Sequence, residues 1–388
     1  MIKPGPSPSP AEGLLELDSN GSGHLRLVSA NFLPRPGDVK VPARLIEQMG
    51  LKKGLYLTGT AAMARSSRRN SRRGGGHGSQ LGLTTVETIN GHHIDKLPPP
   101  REYTDLVSEH PSKHLKLALD EDAPMSLRVI DLITPVGRGQ RGLIVAAPKT
   151  GKTILLEQIG CAIAKHHPDV HLIVLLIDER PEEVTHMRRT VKGEVVASSA
   201  DGTSAEHLRV AHLMLERARR LVEMNHDVMI LLDSITRLGR AANRQQKGRG
   251  KTMTGGIDSR ALGFPRQFFG AARTVEEGGS LTILGTALVD TGSQMDEVIF
   301  QEFKGTGNME LVLDRRLAEG RIFPAIDISR SGTRREEMLF TKEDLPKIHL
   351  LRRALSGLKP VEAMNLLLSR MQKTPSNEVL LNEIRQSR

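Results

Sequence analysis

The stretch Gly142–Thr153, which reads GLIVAAPKTGKT, combines the patterns of a buried strand, a short turn and the start of a helix. Its apolar run Gly142–Ala146 is typical of a strand that is covered on both faces of a sheet. Gly151 would let the turn close around a phosphate, and backbone N–H groups at the helix start would face that phosphate. Lys152 would reach the outer phosphates, and the Thr153 hydroxyl would bind magnesium. The stretch therefore predicts a nucleotide-binding P-loop.

One position departs from the general P-loop pattern G-x-x-x-x-G-K-[ST], because Ala146 replaces the first glycine. On the string alone, an ordinary strand-to-helix connection is therefore an alternative. The two outcomes differ in what surrounds the loop, since a nucleotide site also needs carboxylates at the same edge of the sheet.

Two further strands end in carboxylates, as a nucleotide site requires. The run Val228–Leu232 is followed by Asp233, and the run Leu172–Ile177 is followed by Asp178 and Glu179. Carboxyl ends of parallel strands meet at one crevice, so these acids should lie beside the P-loop. Asp233 fits a Walker B acid that holds magnesium, and Glu179 fits a residue that orients the attacking water. Asp178 competes with Glu179 for that role, and for either acid a solvent-facing strand end is the alternative.

The remaining pattern divides the chain into four parts. Residues 1–12 are rich in Pro and Ser and predict a disordered tail. Residues 13–97 hold short strand-like runs between turns and predict an OB-fold, a small cold-shock-like barrel, with a basic loop at residues 65–78. Residues 98–125 predict a linker. Residues 126–388 alternate buried strands with helical windows (Lys152–His166, Ala205–Asn225) and predict an α/β P-loop domain that ends in a helical subdomain.

Composition limits the classes of function. The net charge is +10, and residues 1–97 hold 13 Lys/Arg against 7 Asp/Glu, which favours a polyanionic partner such as RNA. The basic loop fits either an RNA-contacting arm or a solvated tip. Cys161 is the one cysteine, which excludes an internal disulfide and a structural zinc cluster. No apolar run is long enough for a membrane span, and no secretory signal is evident, so we expect a cytoplasmic chain.

A set of longer strings extends the motifs: VLLIDERPEEVT, VKGEVVAS, LLDSITRL, EFKGTGNMEL, RIFPAID and SGTRREE. Together with the P-loop they resemble the Rho family of bacterial transcription termination factors, which are RecA-type hexameric RNA helicases. The resemblance covers most of residues 125–345. Members of the family also depart from the general P-loop pattern as this chain does at Ala146. It implies a homohexameric ATPase that uses ATP and Mg²⁺, threads single-stranded RNA through its ring from 5′ to 3′, and releases the transcript from RNA polymerase.

The resemblance also implies residue roles in ATP hydrolysis. The phosphate and magnesium ligands would be Lys149, Thr150, Gly151, Lys152, Thr153 and Asp233. Glu179 would activate water, and Arg180 would assist at the same phosphates. Phe323 would stack on adenine, and Arg334 would reach as an arginine finger into the neighbouring subunit's site. Without the resemblance, Phe323 fits a core residue, and Arg334 fits a surface salt-bridge cluster with Arg330 and Arg335.

Three segments would contact RNA. In the first pore loop, Asn243–Gly256, the contacts would be Lys247, Arg249 and Lys251. The second pore loop, Thr291–Gln294, has Gln294 where the family commonly has lysine. In the barrel, Gly21–Arg26 reads GSGHLR where the family has an aromatic GFGFLR form. The N-terminal contacts would be His24, Arg26, Phe32, Arg68, Arg69, Arg72 and Arg73, and we expect them to select sequence weakly and to be sensitive to salt.

Two competing interpretations come from other classes. Rotary and secretion ATPases share the RecA-type core, but a subunit of that class has no reason to respond to RNA. A non-hydrolysing RNA-binding regulator would keep the fold and lose turnover, which an assay of ATP hydrolysis would expose.

Overall fold

The structure is a computed structural model that describes residues 9–63, 81–246 and 252–384. Its internal contacts divide the chain into two compact units. The first unit contains the described residues up to Asp105 together with Arg209–Met224, and the second contains Leu106–Leu208 and the chain from Asn225 onward. The basic loop and the three cations of the first pore loop lie outside the described residues.

The first unit is built on a six-stranded sheet in the order β3-β2-β1-β4-β5-β6. Its elements are β1 (Ser9–Leu17), β2 (Gly23–Arg26), β3 (Val39–Val41), α1 (Ala43–Met49), β4 (Tyr56–Met63), β5 (Leu81–Ile89) and β6 (His92–His93). A parallel pairing of Lys40 with Gly82 joins β3 to β5 and closes the sheet into a small barrel. Leu15, Leu25 and Leu57 fill its interior. The predicted OB-like barrel is confirmed.

The barrel begins earlier than the sequence predicts. Ser9–Glu12, assigned above to the disordered tail, form the first part of β1. Proline lacks an N–H and is tolerated where a strand is paired on one side only. Pro10 lies in such a part, because residues 9–13 pair with β4 while β2 pairs from Leu14 onward. The prolines therefore made the sequence resemble a disordered tail, but they do not prevent the strand from forming.

The second unit is an α/β domain around a mainly parallel sheet in the order β10-β9-β11-β15-β8-β16-β17. The strands of this unit are β7 (Ser108–Glu109), β8 (Arg141–Ala146), β9 (Val170–Glu179), β10 (Glu194–Ser199), β11 (Asp227–Asp233), β12 (Thr252–Met253), β13 (Ile257–Asp258), β14 (Arg273–Val275), β15 (Ser280–Leu288), β16 (Met309–Leu313) and β17 (Gly332–Thr333). The helices that follow α1 along the chain are α2 (Met125–Ile133), α3 (Lys152–His166), α4 (Pro181–Thr190), α5 (Ser204–Val222), α6 (Ile235–Gln246), α7 (Gly263–Gly270), α8 (Gln294–Lys304), α9 (Arg315–Glu319), α10 (Asp344–Ser356), α11 (Pro360–Met371) and α12 (Asn377–Glu383).

The predicted doubly covered sheet is present. The three strands predicted above are β8, β9 and β11, each somewhat longer than its apolar run, because strand pairing continues into the polar ends. The helix predicted from Lys152 to His166 has those bounds in the structure. The P-loop ATPase fold and the helical C-terminal segment are therefore confirmed.

The predicted linker, residues 98–125, is partly an ordered element of the second unit. Leu115 and Leu117 are buried, and the backbone N–H of Leu117 donates to the Asp131 carboxylate at 3.0 Å. Ser108–Glu109 form a short strand that pairs with β14. Two apolar residues among Pro, Lys and His carry too little periodicity to signal this packing from sequence.

The C-terminal helices pack their apolar residues into the domain core, and one buried arginine adds hydrogen bonds to them. Arg128 on α2 donates Nη1 to the carbonyl oxygens of Met371 (3.0 Å) and Thr374 (2.9 Å), and Nε to Asn377 Oδ1 (3.1 Å). The guanidinium is buried, which lowers the pKa of Arg128. It thus donates to the Thr374 carbonyl oxygen just beyond α11 and adds a bond to the Met371 carbonyl oxygen, which also accepts the backbone N–H of Thr374.

Replacing this arginine should destabilise the domain. Arg128→Met keeps most of the volume but removes the bonds of the buried guanidinium to Met371, Thr374 and Asn377, so we expect the free energy of unfolding to fall by about 3 kcal/mol. Denaturant unfolding followed by circular dichroism measures it, with Arg353→Met on the exposed face of α10 as the matched control. A loss equal to that of the control would contradict the role of Arg128.

No helix in the described parts of the chain is both long enough and apolar enough to cross a membrane.

Candidate nucleotide-binding and RNA-binding sites

The P-loop lies between the carboxyl end of β8 and the first turn of α3. Lys149 and Gly151 have φ of 67° and 88°, so the loop doubles back, and Gly151 provides the N-cap of α3. The Thr150 hydroxyl donates to the carbonyl oxygen of Ala147 at 2.7 Å and fixes the turn. The amides at the start of α3 therefore face the space where an anion would lie.

Lys152 joins the two acids that the sequence placed at this edge of the sheet. Its Nζ lies 2.5 Å from Asp233 Oδ1 and 3.3 Å from Glu179 Oε1. The Thr286 hydroxyl also donates to Asp233 Oδ1 at 2.8 Å. Burial disfavours the charge of Lys152, but Asp233 and Glu179 outweigh burial and raise the pKa of Lys152. Lys152 is therefore a firmly charged ammonium group at the centre of the site.

The structure distinguishes Glu179 from Asp178. Glu179 is buried and lines a cavity of about 600 Å³ together with the P-loop, Arg180 and Arg237. Asp178 has a left-handed backbone with φ of 57°, and its carboxylate lies 4.0 Å from His207 Nε2. It is not part of that cavity wall. The geometry favours Glu179 as the acid that faces the phosphates, while its role in activating water stays a prediction.

Arg237 on α6 is a member of the site that the motif analysis missed. One of its nitrogens lies 3.2 Å from Glu179 Oε1, and another donates to the carbonyl oxygen of Asp178. Burial, followed by the charge of Asp233, raises the pKa of Glu179, while Lys152 and Arg237 oppose that rise. The side chains of Lys152, Glu179, Asp233 and Arg237 therefore form one group of interacting charges.

This group of interacting charges predicts how ATP hydrolysis depends on pH. A base must be deprotonated to accept a proton, so a raised pKa moves the acidic loss of activity above the range of an ordinary glutamate. Removing the opposing charge by Arg237→Gln should move that acidic limb to still higher pH. The pH profile of kcat/KM, which reports the pKa values of the free enzyme, measures the shift, with Arg188→Gln on the far end of α4 as a control. An unchanged or lowered acidic limb would contradict the assignment.

An apolar cavity of about 300 Å³ adjoins the P-loop, and Phe323 forms part of its wall. The Phe323 ring is 49% exposed and lies 3.8 Å from where a Cβ on Gly151 would be. Ile154 on α3 lines the same cavity and is 61% exposed, which is unusual for an isoleucine. Phe323 and Ile154 thus present apolar surface to a planar ligand. Ile154 carries no motif, so sequence reasoning missed it.

The oxygen donors at the P-loop fit magnesium. Asp233 supplies a buried carboxylate, and Thr153 supplies a hydroxyl that donates to Glu183 Oε2 at 3.3 Å. Magnesium is bound in such sites by few protein oxygens, by phosphates and by water, so no cage of carboxylates is needed. The described residues contain no cluster of three or more His, Cys, Asp or Glu side chains that could hold a metal.

Arg180 and Arg334 are both exposed, at different places. Arg180 precedes α4 and lines the cavity of Glu179. Arg334 directly follows β17, which pairs with Met309 and Glu310, and Met309 in turn pairs with Gly142 at the amino end of β8. The P-loop follows the opposite end of β8. Arg334 is therefore near the far edge of the sheet from its own P-loop and cannot complete that site.

The neighbours of Arg334 separate it from the adjacent arginine. Arg335 pairs with Glu337 at 2.7 Å. In the part of the chain that the structure describes, the Arg334 side chain has no carboxylate within ion-pair distance. The salt-bridge cluster that was the alternative therefore includes Arg335 and not Arg334.

The base of the first pore loop is described, and its three cations are not. Asn243, on α6, donates Nδ2 to the carbonyl oxygen of Gly256 at 3.0 Å and accepts the backbone N–H of Asp258 at 2.8 Å. It pins the returning end of the loop to the helix that also carries Arg237. The roles of Lys247, Arg249 and Lys251 fall outside the described residues.

The second pore loop is held by a buried aspartate. Asp296 on α8 accepts the Thr291 hydroxyl at 2.6 Å and pairs with Arg240 of α6, whose Nε lies 2.7 Å from Asp296 Oδ1. Thr291 also lines the P-loop cavity, and Gln294 begins α8. One ion pair thus joins the loop beside the nucleotide site to the helix that leads into the first pore loop.

The barrel residues differ from the prediction in their exposure. Arg26 is 5% exposed, with Nε 2.7 Å from Glu16 and Nη1 2.5 Å from Asp38, and Phe32 is 1% exposed. In this conformation neither side chain offers a surface to RNA, because ion pairing and packing occupy them. Their RNA contacts stay predictions that need a local rearrangement. Arg68, Arg69, Arg72 and Arg73 fall outside the described residues.

His24 and Lys40 are better placed than Arg26 and Phe32 to contact RNA at the barrel surface. They face each other across β2 and β3, and Lys40 is exposed. His24 Nδ1 lies 3.1 Å from Asp18. Lys40 was missed because a single lysine in a strand carries no signal until the strand register is known.

The fold and the site together define a P-loop ATPase that carries an RNA-binding barrel. The ATP synthase alpha/beta family, nucleotide-binding domain, matches residues 126–333, and the Rho termination factor, RNA-binding domain, matches residues 11–95. Transcription termination factor Rho of Cereibacter sphaeroides is 49% identical over 368 residues, which cover 94% of this chain and 85% of that protein. The chain belongs to the family of transcription termination factor Rho.

Other comparisons separate family from fold. Transcription termination factor Rho of Micrococcus luteus is 48% identical over 374 residues, and this chain spans 53% of that longer protein. A solved ATPase from the type III secretion system of pathogenic bacteria has a TM-score of 0.59 at 22% identity and covers 80% of this chain and 89% of its own. That likeness shows the shared fold alone. The rotary and secretion interpretation is therefore wrong as to family.

Proposed function

We propose that this chain is a cytoplasmic, homohexameric RNA translocase that hydrolyses ATP with Mg²⁺, threads single-stranded RNA from 5′ to 3′, and releases the transcript from RNA polymerase. The observation that supports the proposal is that the candidate catalytic residues lie at two opposite ends of the sheet. Lys152, Glu179 and Asp233 lie at the carboxyl end, and the exposed Arg334 lies toward the amino end. A ring is the arrangement that brings these two ends together.

The chain's own residues supply most of the chemistry. Lys152 exchanges its contacts with Asp233 and Glu179 for contacts to the outer phosphates, and Glu179 then accepts the proton of the attacking water. Phe323 and Ile154 hold the base. Magnesium, when bound through Thr153 and Asp233, neutralises phosphate charge. Arg334 of one subunit stabilises the charge that develops at the next subunit's site.

The RNA part of the proposal rests on the link between the pore loops and the nucleotide. Thr291 faces the nucleotide cavity, Asp296 holds Thr291, and Arg240 ties Asp296 to α6. A change at the phosphates can therefore move both pore loops together. Lysines and arginines of the first pore loop would then contact the RNA backbone.

The experiment that tests this function is steady-state ATP hydrolysis with no RNA, with polycytidylate, with polyuridylate and with a mixed RNA, each at two salt concentrations. We expect all three RNAs to stimulate hydrolysis by about tenfold or more at low salt and to lose much of that effect at high salt, because phosphate contacts weaken with salt.

Each alternative has its own result. Stimulation by polycytidylate alone would keep the translocase but contradict weak sequence selection. No stimulation by any RNA would contradict the motor. No hydrolysis under any condition would favour the non-hydrolysing regulator.

Lys40→Ala should weaken RNA binding, while Lys373→Ala, an exposed lysine near α11, serves as its matched control.

A further inference from the structure

Asn308, just before β16, joins the start of β8 to the segment that carries Arg334. Its Oδ1 accepts the backbone N–H of Arg141 at 2.9 Å, and its backbone N–H donates to the carbonyl oxygen of Arg141 at 3.0 Å. Its own carbonyl oxygen accepts the backbone N–H of Arg334 at 2.8 Å. One residue thus bonds both to the amino end of β8 and to the backbone of the proposed finger.

Gln140 completes the arrangement from the other side. It is 1% exposed, and its Nε2 donates to Asn308 Oδ1 at 2.6 Å and to the carbonyl oxygen of Asn308 at 3.2 Å. Its Oε1 accepts the backbone N–H of Gly137 at 3.3 Å. A buried amide with both ends bonded holds Asn308 in one orientation, because turning either amide would break these bonds. We call Gln140 and Asn308 the amide clamp.

The charge around Arg334 explains why a backbone anchor is needed. Burial first, and then the nearby charges of Arg273 and Arg334, lower the pKa of Arg141. The finger therefore has positive neighbours, and in the described residues it has no carboxylate partner. Side-chain pairing cannot fix its direction, so backbone bonds must: β17 pairs with Met309 and Glu310, and the bond from Arg334 to Asn308 extends that pairing to the finger itself.

We infer that the amide clamp is a positioning device for Arg334: Gln140 and Asn308 fix the finger's backbone to the amino end of β8, whose carboxyl end leads into the P-loop. This inference rests on the proposed function, in which Arg334 acts on the neighbouring subunit. According to this inference, β8 positions residues of two different ATP sites. The subunit's own nucleotide lies at one end of β8, and the finger that serves the neighbour is anchored at the other.

The first expectation concerns kinetic constants. Asn308→Ala keeps the carbonyl oxygen that accepts from Arg334 but removes the Oδ1 that accepts from Arg141 and Gln140, so residue 308 and the finger bonded to it should lose their fixed position against β8. We expect kcat for ATP to fall at least about tenfold, since misplacing a catalytic group by an ångström costs up to about a hundredfold. ATP affinity should stay within about twofold of the native value, because the subunit's own P-loop keeps its contacts. Asn382→Ala, the same change at an exposed position of α12, is the control.

Mixed rings separate a positioning role from a folding defect. Rings are reassembled from Asn308→Ala subunits and Lys152→Ala subunits. Lys152→Ala rings should be inactive and Asn308→Ala rings slow, but the mixture should regain ATP hydrolysis where a Lys152→Ala subunit presents a well-placed finger to an intact P-loop. Asn308→Ala mixed with Arg334→Ala should regain nothing, because both variants fail in the same finger.

Other results would overturn the inference in distinguishable ways. Recovery with Arg334→Ala but not with Lys152→Ala would place the defect in the subunit's own P-loop. Recovery with neither, while Arg334→Ala and Lys152→Ala restore each other, would indicate misfolding and would leave the proposed function intact. If Arg334→Ala and Lys152→Ala do not restore each other, the finger does not act between subunits, and the proposed function and the clamp fail together.

Discussion

An Arg334→Ala variant is expected to bind ATP as the native chain does and to hydrolyse it about a thousandfold more slowly, which is the lower range for loss of an arginine finger. The physical reason is the position of the residue. Arg334 follows β17 beside the amino end of the sheet, while the P-loop of the same chain follows the carboxyl end of β8. Its removal should leave the subunit's own phosphate contacts unchanged and, in the proposed ring, remove the charge that the neighbouring site receives.

Fluorescent ATP-analogue binding and single-turnover hydrolysis, measured on assembled rings with RNA present, separate the two effects. Arg335→Ala is the matched control, because Arg335 is adjacent, exposed and paired with Glu337. Hydrolysis by Arg335→Ala should stay within about twofold, as expected for removing a surface ion pair. Normal hydrolysis by Arg334→Ala would show that the finger assignment is wrong.

The nucleotide site could be predicted from sequence because its signals are local. Strand β8, the P-loop glycine and the start of α3 occupy twelve consecutive residues, and the acids directly follow apolar runs. The rule that carboxyl ends of parallel strands meet at one edge then brings distant residues together. The structure places Lys152 between Glu179 and Asp233, as that rule requires.

The remaining functional residues depend on contacts that no local pattern shows. Ile154 is an ordinary helical residue until its exposure beside Phe323 is known. Lys40 gains meaning from the register that sets it opposite His24, and Asn308 from a bond to Arg334 across the sheet edge. The register of two strands decides which side chains face each other. The alternation of apolar residues along a strand fits several registers that differ by two residues, so the sequence does not choose between them.

In the barrel, the exposure of two predicted RNA contacts differs from the sequence-based expectation. Arg26 and Phe32 match family positions, so the resemblance assigned them to RNA. In the structure Arg26 is held by Glu16 and Asp38, and Phe32 is packed inside. A motif identifies residue type and position, but exposure depends on which acids the neighbouring strands bring to the same face. Such acids lie 10 and 12 residues from Arg26 and belong to no motif.

A Lys152→Ala variant is expected to lose ATP hydrolysis altogether while it retains RNA binding. The lysine is the positive charge between Asp233 and Glu179, at 2.5 and 3.3 Å. Without it, two buried carboxylates face each other with Arg237 as the remaining nearby cation, so the pKa of Glu179 should rise further and the base should be protonated more readily. The outer phosphates also lose their principal cation, so ATP affinity should fall by about tenfold or more.

Lys149→Ala provides the comparison within the same loop. Lys149 is exposed and makes no ion pair with the two acids, so its removal should weaken ATP binding modestly and leave turnover measurable at saturating ATP. Filter binding of labelled RNA and steady-state hydrolysis over a range of ATP concentrations measure both variants. Equal losses for Lys149→Ala and Lys152→Ala would mean that general positive charge at the loop suffices. Retained turnover in Lys152→Ala would contradict the site, because no other described group reaches both Glu179 and Asp233.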